Sequence, residues 1–165
     1  MASSKTTFTK NLEEKEITVA RTFKAKLSDL WDAWTNPAIL DEWWAPKPYR
    51  VITKEMIFKE GGHWLYRMEG PEGDTSWCKE EFKKIDFQQF YTDHICFCDA
   101  NGNENKNFPA MFWKNEFSTS EAEATIANTI TFDSKKDMEA ILEMGFESGY
   151  RMCLENLEAY FDSIY

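Results

Sequence analysis

His63 and His94 are the two side chains of this sequence that titrate near neutral pH, so proton-transfer chemistry would start from them. Alternation along the strand-like run from Gly62 groups His63 with Leu65, Arg67 and Glu69, the more polar face, where a histidine is solvated. His94 shares parity with Phe90, Cys96 and Cys98, a pattern that assigns it to neither face. General acid–base work needs a positioned partner, and no Ser–His–Asp or Cys–His spacing accompanies either ring. Glu80-Glu81 and Asp93 read as solvated strand carboxylates rather than as an acid–base pair. Cys78, Cys96, Cys98 and Cys153 lack the second Cys/His pair at finger or ribbon spacing that a zinc site requires, and read as buried free thiols. No glycine-rich phosphate loop is present. The reading therefore carries no catalytic residue, no metal ligand and no cofactor.

What stands out instead is apolar surface. The run Trp31-x-Ala33-Trp34-Thr35-Asn36-Pro37-x-x-Leu40-x-x-Trp43-Trp44-x-Pro46 holds four of the seven tryptophans. Two short helices do not need that much aromatic area for their own packing, so a sheet, a ligand or both must cover it.

The elements that would position these rings follow from periodicity. Residues 16–23 alternate as a strand, with Ile17, Val19, Arg21 and Phe23 on one face. Leu27, Leu30, Trp31 and Trp34 fall on one stripe of a short helix. Asn36 can cap a second short helix, and Pro37 suits its first position because the N–H it lacks would be unsatisfied there. Strands are expected at 49–58, 62–69, 77–85, 90–98, 110–118 and 124–132, joined by turns at Gly61-Gly62, Gly70-Pro71-Glu72-Gly73-Asp74 and Asn101-Gly102-Asn103. Ser134 with Asp137 opens one long amphipathic helix through Phe161, whose apolar stripe includes Met138, Leu142, Phe146, Gly149, Cys153, Leu157 and Tyr160. This order implies an α+β fold, a curved antiparallel sheet wrapped around the C-terminal helix, with the short helices closing one end. Residues 1–15 read as a flexible N-terminal tail and 16–165 as a single domain.

Composition limits the partners. The 165 residues are 42% apolar and carry a formal net charge of −10, so nucleic acid and anionic membrane are excluded as partners. The first residues hold no apolar signal core and no segment reaches the ~20 apolar residues of a membrane span, which points to a cytoplasmic protein.

Arg21-Thr-Phe23-Lys-Ala25, the tryptophan-rich run, Gly61-Gly62-x-Trp64-x-Tyr66-x-Met68 and Gly149-x-x-x-x-Leu154-x-x-Leu157-x-x-Tyr160 together resemble the activator-of-heat-shock-protein-ATPase homologue domain. That domain belongs to the START-like, or SRPBCC, superfamily of helix-grip folds, and the likeness runs over residues 16–162. The sequence departs from the pattern at Ile57-Phe58-Lys59-Glu60-Gly61-Gly62, where family members often carry Asp-x-Arg-Pro-Gly-Gly. The resemblance implies a cavity between the concave sheet face and the long helix. Strand parity then nominates Trp64, Tyr66 and Met68, and with them Trp113, Asn115 and Phe117, as inward side chains. Leu142, Phe146 and Gly149 from the helix and Trp43 and Trp44 from the lid complete a ligand-binding lining, with Asn115 as the one amide. Filling of the same space by these side chains is the competing reading.

The expected function is non-enzymatic binding of a small hydrophobic molecule, lipid-like or aromatic. One alternative is a chaperone ATPase activator or stress-response protein, whose partner is a heat-shock chaperone. Another is a cyclase, dehydratase or hydrolase, which requires His94 to face the cavity. A homodimer is left open.

Overall fold

The structure, a computed structural model, describes residues 6–165. In chain order it contains β1 (Thr7–Asn11), β2 (Glu16–Phe23), α1 (Leu27–Thr35), α2 (Pro37–Trp43), β3 (Arg50–Met56), β4 (His63–Glu69), β5 (Thr75–Asp86), β6 (Phe90–Cys98), β7 (Met111–Ser120), β8 (Glu123–Thr131), α3 (Lys135–Glu143) and α4 (Phe146–Ile164). The strands form one antiparallel sheet in the order β1-β2-β8-β7-β6-β5-β4-β3. Every neighbouring pair except β2–β8 is consecutive in sequence, so short turns make the meander. Register shifts between Thr53 and Glu55 and between Phe82 and Ile85 add the local bends that let the sheet curve. Its concave face packs on α4, the expected α+β helix-grip arrangement.

The short helices form as their sequence dictates. Leu30, Trp31, Ala33 and Trp34 are the buried stripe of α1. The Asn36 side chain accepts a hydrogen bond from the Ala38 amide at 3.0 Å, capping α2 with Pro37 in its first turn. At the first glycine turn, a Cβ on Gly62 would stand 2.1 Å from the Ile57 carbonyl oxygen, so the chain can double back only without a side chain there.

Two expectations need correction. The first concerns the N-terminal tail. Residues 7–11 of it are β1, paired residue for residue with β2 from Thr7↔Ala20 to Asn11↔Glu16; residues 1–5 lie outside the described residues. Four of the five β1 side chains are exposed, and backbone groups make the pairing, so hydropathy carries little trace of it. Phe8 seats the strand on Phe146 (ring centroids 6.1 Å), and Lys10 pairs with Glu147 at 3.0 Å.

The second correction is to the long helix, which is two. Gly145 adopts φ +86°, a left-handed conformation that stops α3 and starts α4. The restart shifts the inward face, so Tyr150 and Leu154 join Cys153, Leu157 and Phe161 in the core.

Candidate functional site: a half-hollow concave face

Aromatic side chains fill one end of the concave face. Trp31 packs its ring edge-on against Phe58, Tyr91 and Phe117, with centroids at 5.9, 5.9 and 4.8 Å. Trp34, Trp43 and Trp44 form a mutual cluster at 5.1–5.3 Å, and the Trp43 Nε1–H donates to the Ala33 carbonyl at 2.9 Å. Here the tryptophan-rich run covers itself, and the filled-core reading holds.

The other end is hollow. A cavity of about 230 Å3 lies between β4–β7, the segment after α2 and the α3–α4 junction. Tyr66, Met68, Cys78, Ile95, Met111 and Trp113 line the sheet side. Trp44 and Pro46 close one wall, and Ile141, Phe146, Gly149, Tyr150 and Cys153 form the helical wall. Asn156 holds the Pro46 segment in place by donating from Nδ2 to the Ala45 carbonyl at 3.0 Å. Ser76 and Met144, both exposed lining residues, mark the mouth. A Cβ on Gly149 would meet nothing nearer than Pro46 Cγ at 3.9 Å, so this glycine is not forced by close contact; it leaves the space open.

Of the eleven nominated residues, the structure brings Trp44, Tyr66, Met68, Trp113, Phe146 and Gly149 together around the cavity. The other five lie elsewhere. Trp43 turns toward α1. Trp64 stacks under Tyr66 at 4.0 Å and donates from Nε1 to Thr53 Oγ1 at 3.0 Å. Phe117 packs on Trp31, Leu142 is half-buried on α3 outside the lining, and Asn115 is buried in a polar chain. For Trp64, Asn115 and Phe117 parity selects the face of the sheet correctly, but it says nothing about position along it. Cys78, Ile95 and Met111 were missed although the same alternation on β5, β6 and β7 could have found them.

Polar groups in the lining are neutral. Burial pushes the Cys78 and Cys153 thiols up to about 12 and the Tyr66 and Tyr150 hydroxyls well above their usual range. The Trp44 Nε1–H donates to Tyr66 Oη at 2.9 Å.

The largest surprise for a sequence reading is a row of polar side chains across four strands. Glu80, Asp93, Asn115 and Asn128 are each at most 3% exposed, which corrects the expectation of solvated strand carboxylates at Glu80 and Asp93. Asn115 Nδ2 donates to Asp93 Oδ1 at 3.1 Å, Asn128 Nδ2 donates to Asn115 Oδ1 at 2.7 Å, and the Tyr150 hydroxyl donates to Asn128 Oδ1. Burial, reinforced by the neighbouring Asp93, raises Glu80 well above the carboxylate range. Burial also lifts Asp93 to about 6, against the opposing hydrogen bonds from Glu80 and Asn115. Shared burial thus raises both carboxyls, and their mutual repulsion keeps the pair from carrying two charges at neutral pH.

His94 takes the convex face, 3.5 Å from Glu81 and packed on Phe112 at 4.7 Å. The catalytic alternative required it inside the cavity, and that version is overturned. His63, also outward, contacts Glu55 at 2.6 Å. Among the described residues no three of His, Cys, Asp or Glu stand grouped as metal ligands would, and no helix is long and apolar enough to cross a membrane.

Solved structures share this architecture across nearly the whole chain. A solution structure of a protein from Arthrobacter aurescens is 24% identical over 95% of this chain and 91% of its own, with a TM-score of 0.90. A crystal structure from Mycobacterium smegmatis is 18% identical over 98% of this chain and 100% of its own, with a TM-score of 0.89. At such identities the likeness speaks for the fold alone. No curated protein matches the chain closely enough to count. The tryptophan-rich helices, strands β3 to β8 and most of the closing helix fall within residues 24–162, the span matched by the family described as Activator of Hsp90 ATPase homolog 1-like protein, and it is to this family that the chain belongs.

Proposed function

We propose that the protein is a cytoplasmic, non-enzymatic carrier or receptor for a small hydrophobic molecule, lipid-like or flat and aromatic, held in the cavity between the sheet and the α3–α4 junction. The observation that carries this reading is the cavity itself, about 230 Å3 of unfilled space in an otherwise tightly packed face. Interiors normally pack like organic crystals, so an opening of that size beside a filled tryptophan cluster needs a reason. Its lining is aromatic and aliphatic with a few neutral polar groups, the make-up of small-molecule sites. The volume falls below the ~300–1,000 Å3 of drug-sized sites, which favours a compact guest. Burying ~250 Å2 of apolar ligand surface gains about 6 kcal/mol at most, which sets the affinity at micromolar or weaker.

Titration of the native chain with naphthalene-type and aliphatic probes, followed by tryptophan emission and protein NMR, tests the proposal. Saturable shifts confined to Trp44, Trp113 and their neighbours are expected. Gly149→Leu projects a side chain into the open space and should weaken binding by more than about ten-fold, or ~1.4 kcal/mol, while the fold persists. Absence of any response across the panel, or binding unchanged by Gly149→Leu, would count against the cavity as the site.

A further inference from the structure

The cavity and the buried carboxyl pair are neighbours in the sheet. Glu80 lies directly across the β5–β6 ladder from Ile95, and Asp93 lies across the β6–β7 ladder from Trp113. Ile95 and Trp113 both line the cavity. Directly paired residues on adjacent strands have Cα atoms only about 4.5–5.5 Å apart, so the pair adjoins the cavity wall. Two further observations bear on a guest. Glu80 Oε2 is buried and no hydrogen-bond donor reaches it. The groups facing the pair are Tyr66 from β4, Cys78 from β5, Tyr91 from β6, Asn115 from β7, Asn128 from β8 and Tyr150 from α4, none of them a cation at any pH. His94 and Glu81 sit on the opposite face of the sheet. The negative charge of the pair is thus set beside an apolar hollow with no basic side chain to neutralise it.

We infer that the cavity sorts its guests by charge: it takes uncharged or cationic amphiphiles and turns carboxylates away. This rests on the ligand-binding reading above and narrows it, since it removes free fatty acids and aromatic acids from the set of guests. Across ~7 Å at an effective dielectric near 20, like-charge repulsion corresponds to well over ten-fold in affinity. The selection is pH-dependent. Asp93 gains its proton as pH falls through about 6, so carboxylates should be less disfavoured, and ammonium guests less favoured, in mild acid.

Three probes that share one ring system and differ in the polar end test this: naphthylmethanol, naphthylmethylamine and naphthoate, each titrated calorimetrically into the native full chain. At about pH 7.5 the alcohol and the ammonium are expected to bind, with the carboxylate weaker than the alcohol by more than about ten-fold. At about pH 5 that gap should narrow, and in Asp93→Asn it should nearly vanish at both pH values. Glu80→Gln provides a second variant with the opposite signature. Its amide donates to Asp93 without a shareable proton, so Asp93 ionises more readily and the gap at about pH 5 should stay as wide as at about pH 7.5. Carboxylate binding as tight as alcohol binding, or a gap that neither variant alters, overturns charge selection while the cavity stands as a site. Failure of all three probes to bind overturns both readings.

Discussion

The two ends of the concave face are built from similar side chains and reach opposite outcomes. At the end under α1 and α2, Trp31, Trp34 and Trp43 interlock with Phe58, Tyr91 and Phe117, and the space is full. At the end under the α3–α4 junction, Trp44, Trp113, Tyr66 and Phe146 surround a hollow. The difference is geometric. Two adjacent short helices feed rings into the first end at close spacing, whereas Gly145 and Gly149 thin the helical wall at the second. Between the two lies the polar row from Glu80 to Asn128, which places a charge where either end alone would be apolar.

Trp31→Ala should cost about 3–5 kcal/mol in urea unfolding, because the ring has four aromatic neighbours and its loss opens a cavity. Met111→Ala, at the hollow end, should cost nearer about 2 kcal/mol, since that side chain already borders empty space. Equal costs would mean the hollow end is as tightly packed as the other.

The polar row gives the next effect. Asp93 is raised in the folded protein from its ordinary 3.8 to about 6. The native state therefore keeps a proton that the unfolded chain sheds between about pH 4 and pH 6, so this group's contribution is most favourable at low pH and is lost as pH rises through about 6. Asp93→Asn keeps an acceptor for Asn115 and removes the buried charge. It should stabilise the protein on the order of 2 kcal/mol at neutral pH, with the gain shrinking to little by about pH 4 in thermal melts at a series of pH values. A gain that is constant with pH would show that Asp93 is not the group titrating.

The smallest expected change is Gly149→Ala. The added methyl meets only Pro46 at ordinary contact distance, so helix propensity should dominate and raise stability by up to about 1 kcal/mol. Destabilisation would mean that the space beside Gly149 is not free.

Most of the architecture was readable before the structure because burial imposes periodicity. The six later strands, the stripe of α1 and the Asn36–Pro37 start of α2 all sit where alternation, spacing and capping chemistry put them. β1 was not readable, since a five-residue edge strand held by backbone bonds leaves little pattern in its side chains. Nor was the division of the C-terminal helix: Gly145 lies within an unbroken amphipathic pattern, and only its left-handed backbone reveals the break. The site was half legible. Six nominated residues meet at the cavity and five do not: Trp64, Asn115 and Phe117 share the sheet face but sit farther along it, while Trp43 on α2 turns toward α1 and Leu142 on α3 stays outside the lining.

Sequence by itself determined the inward faces of β2, β4 and β7 and the buried stripe of α1, since a period of two in strands and about 3.6 in helices follows from local backbone geometry. It also determined the acidity of the chain and the family to which its motifs belong. Tertiary structure alone decided where along that inward face the rings close up and where they leave room. It alone brought Glu80 of β5 and Asp93 of β6 together out of water, raising both. Both outcomes depend on register between distant strands and on how helices seat across them, and such long-range distances are not encoded in any local pattern of residue types.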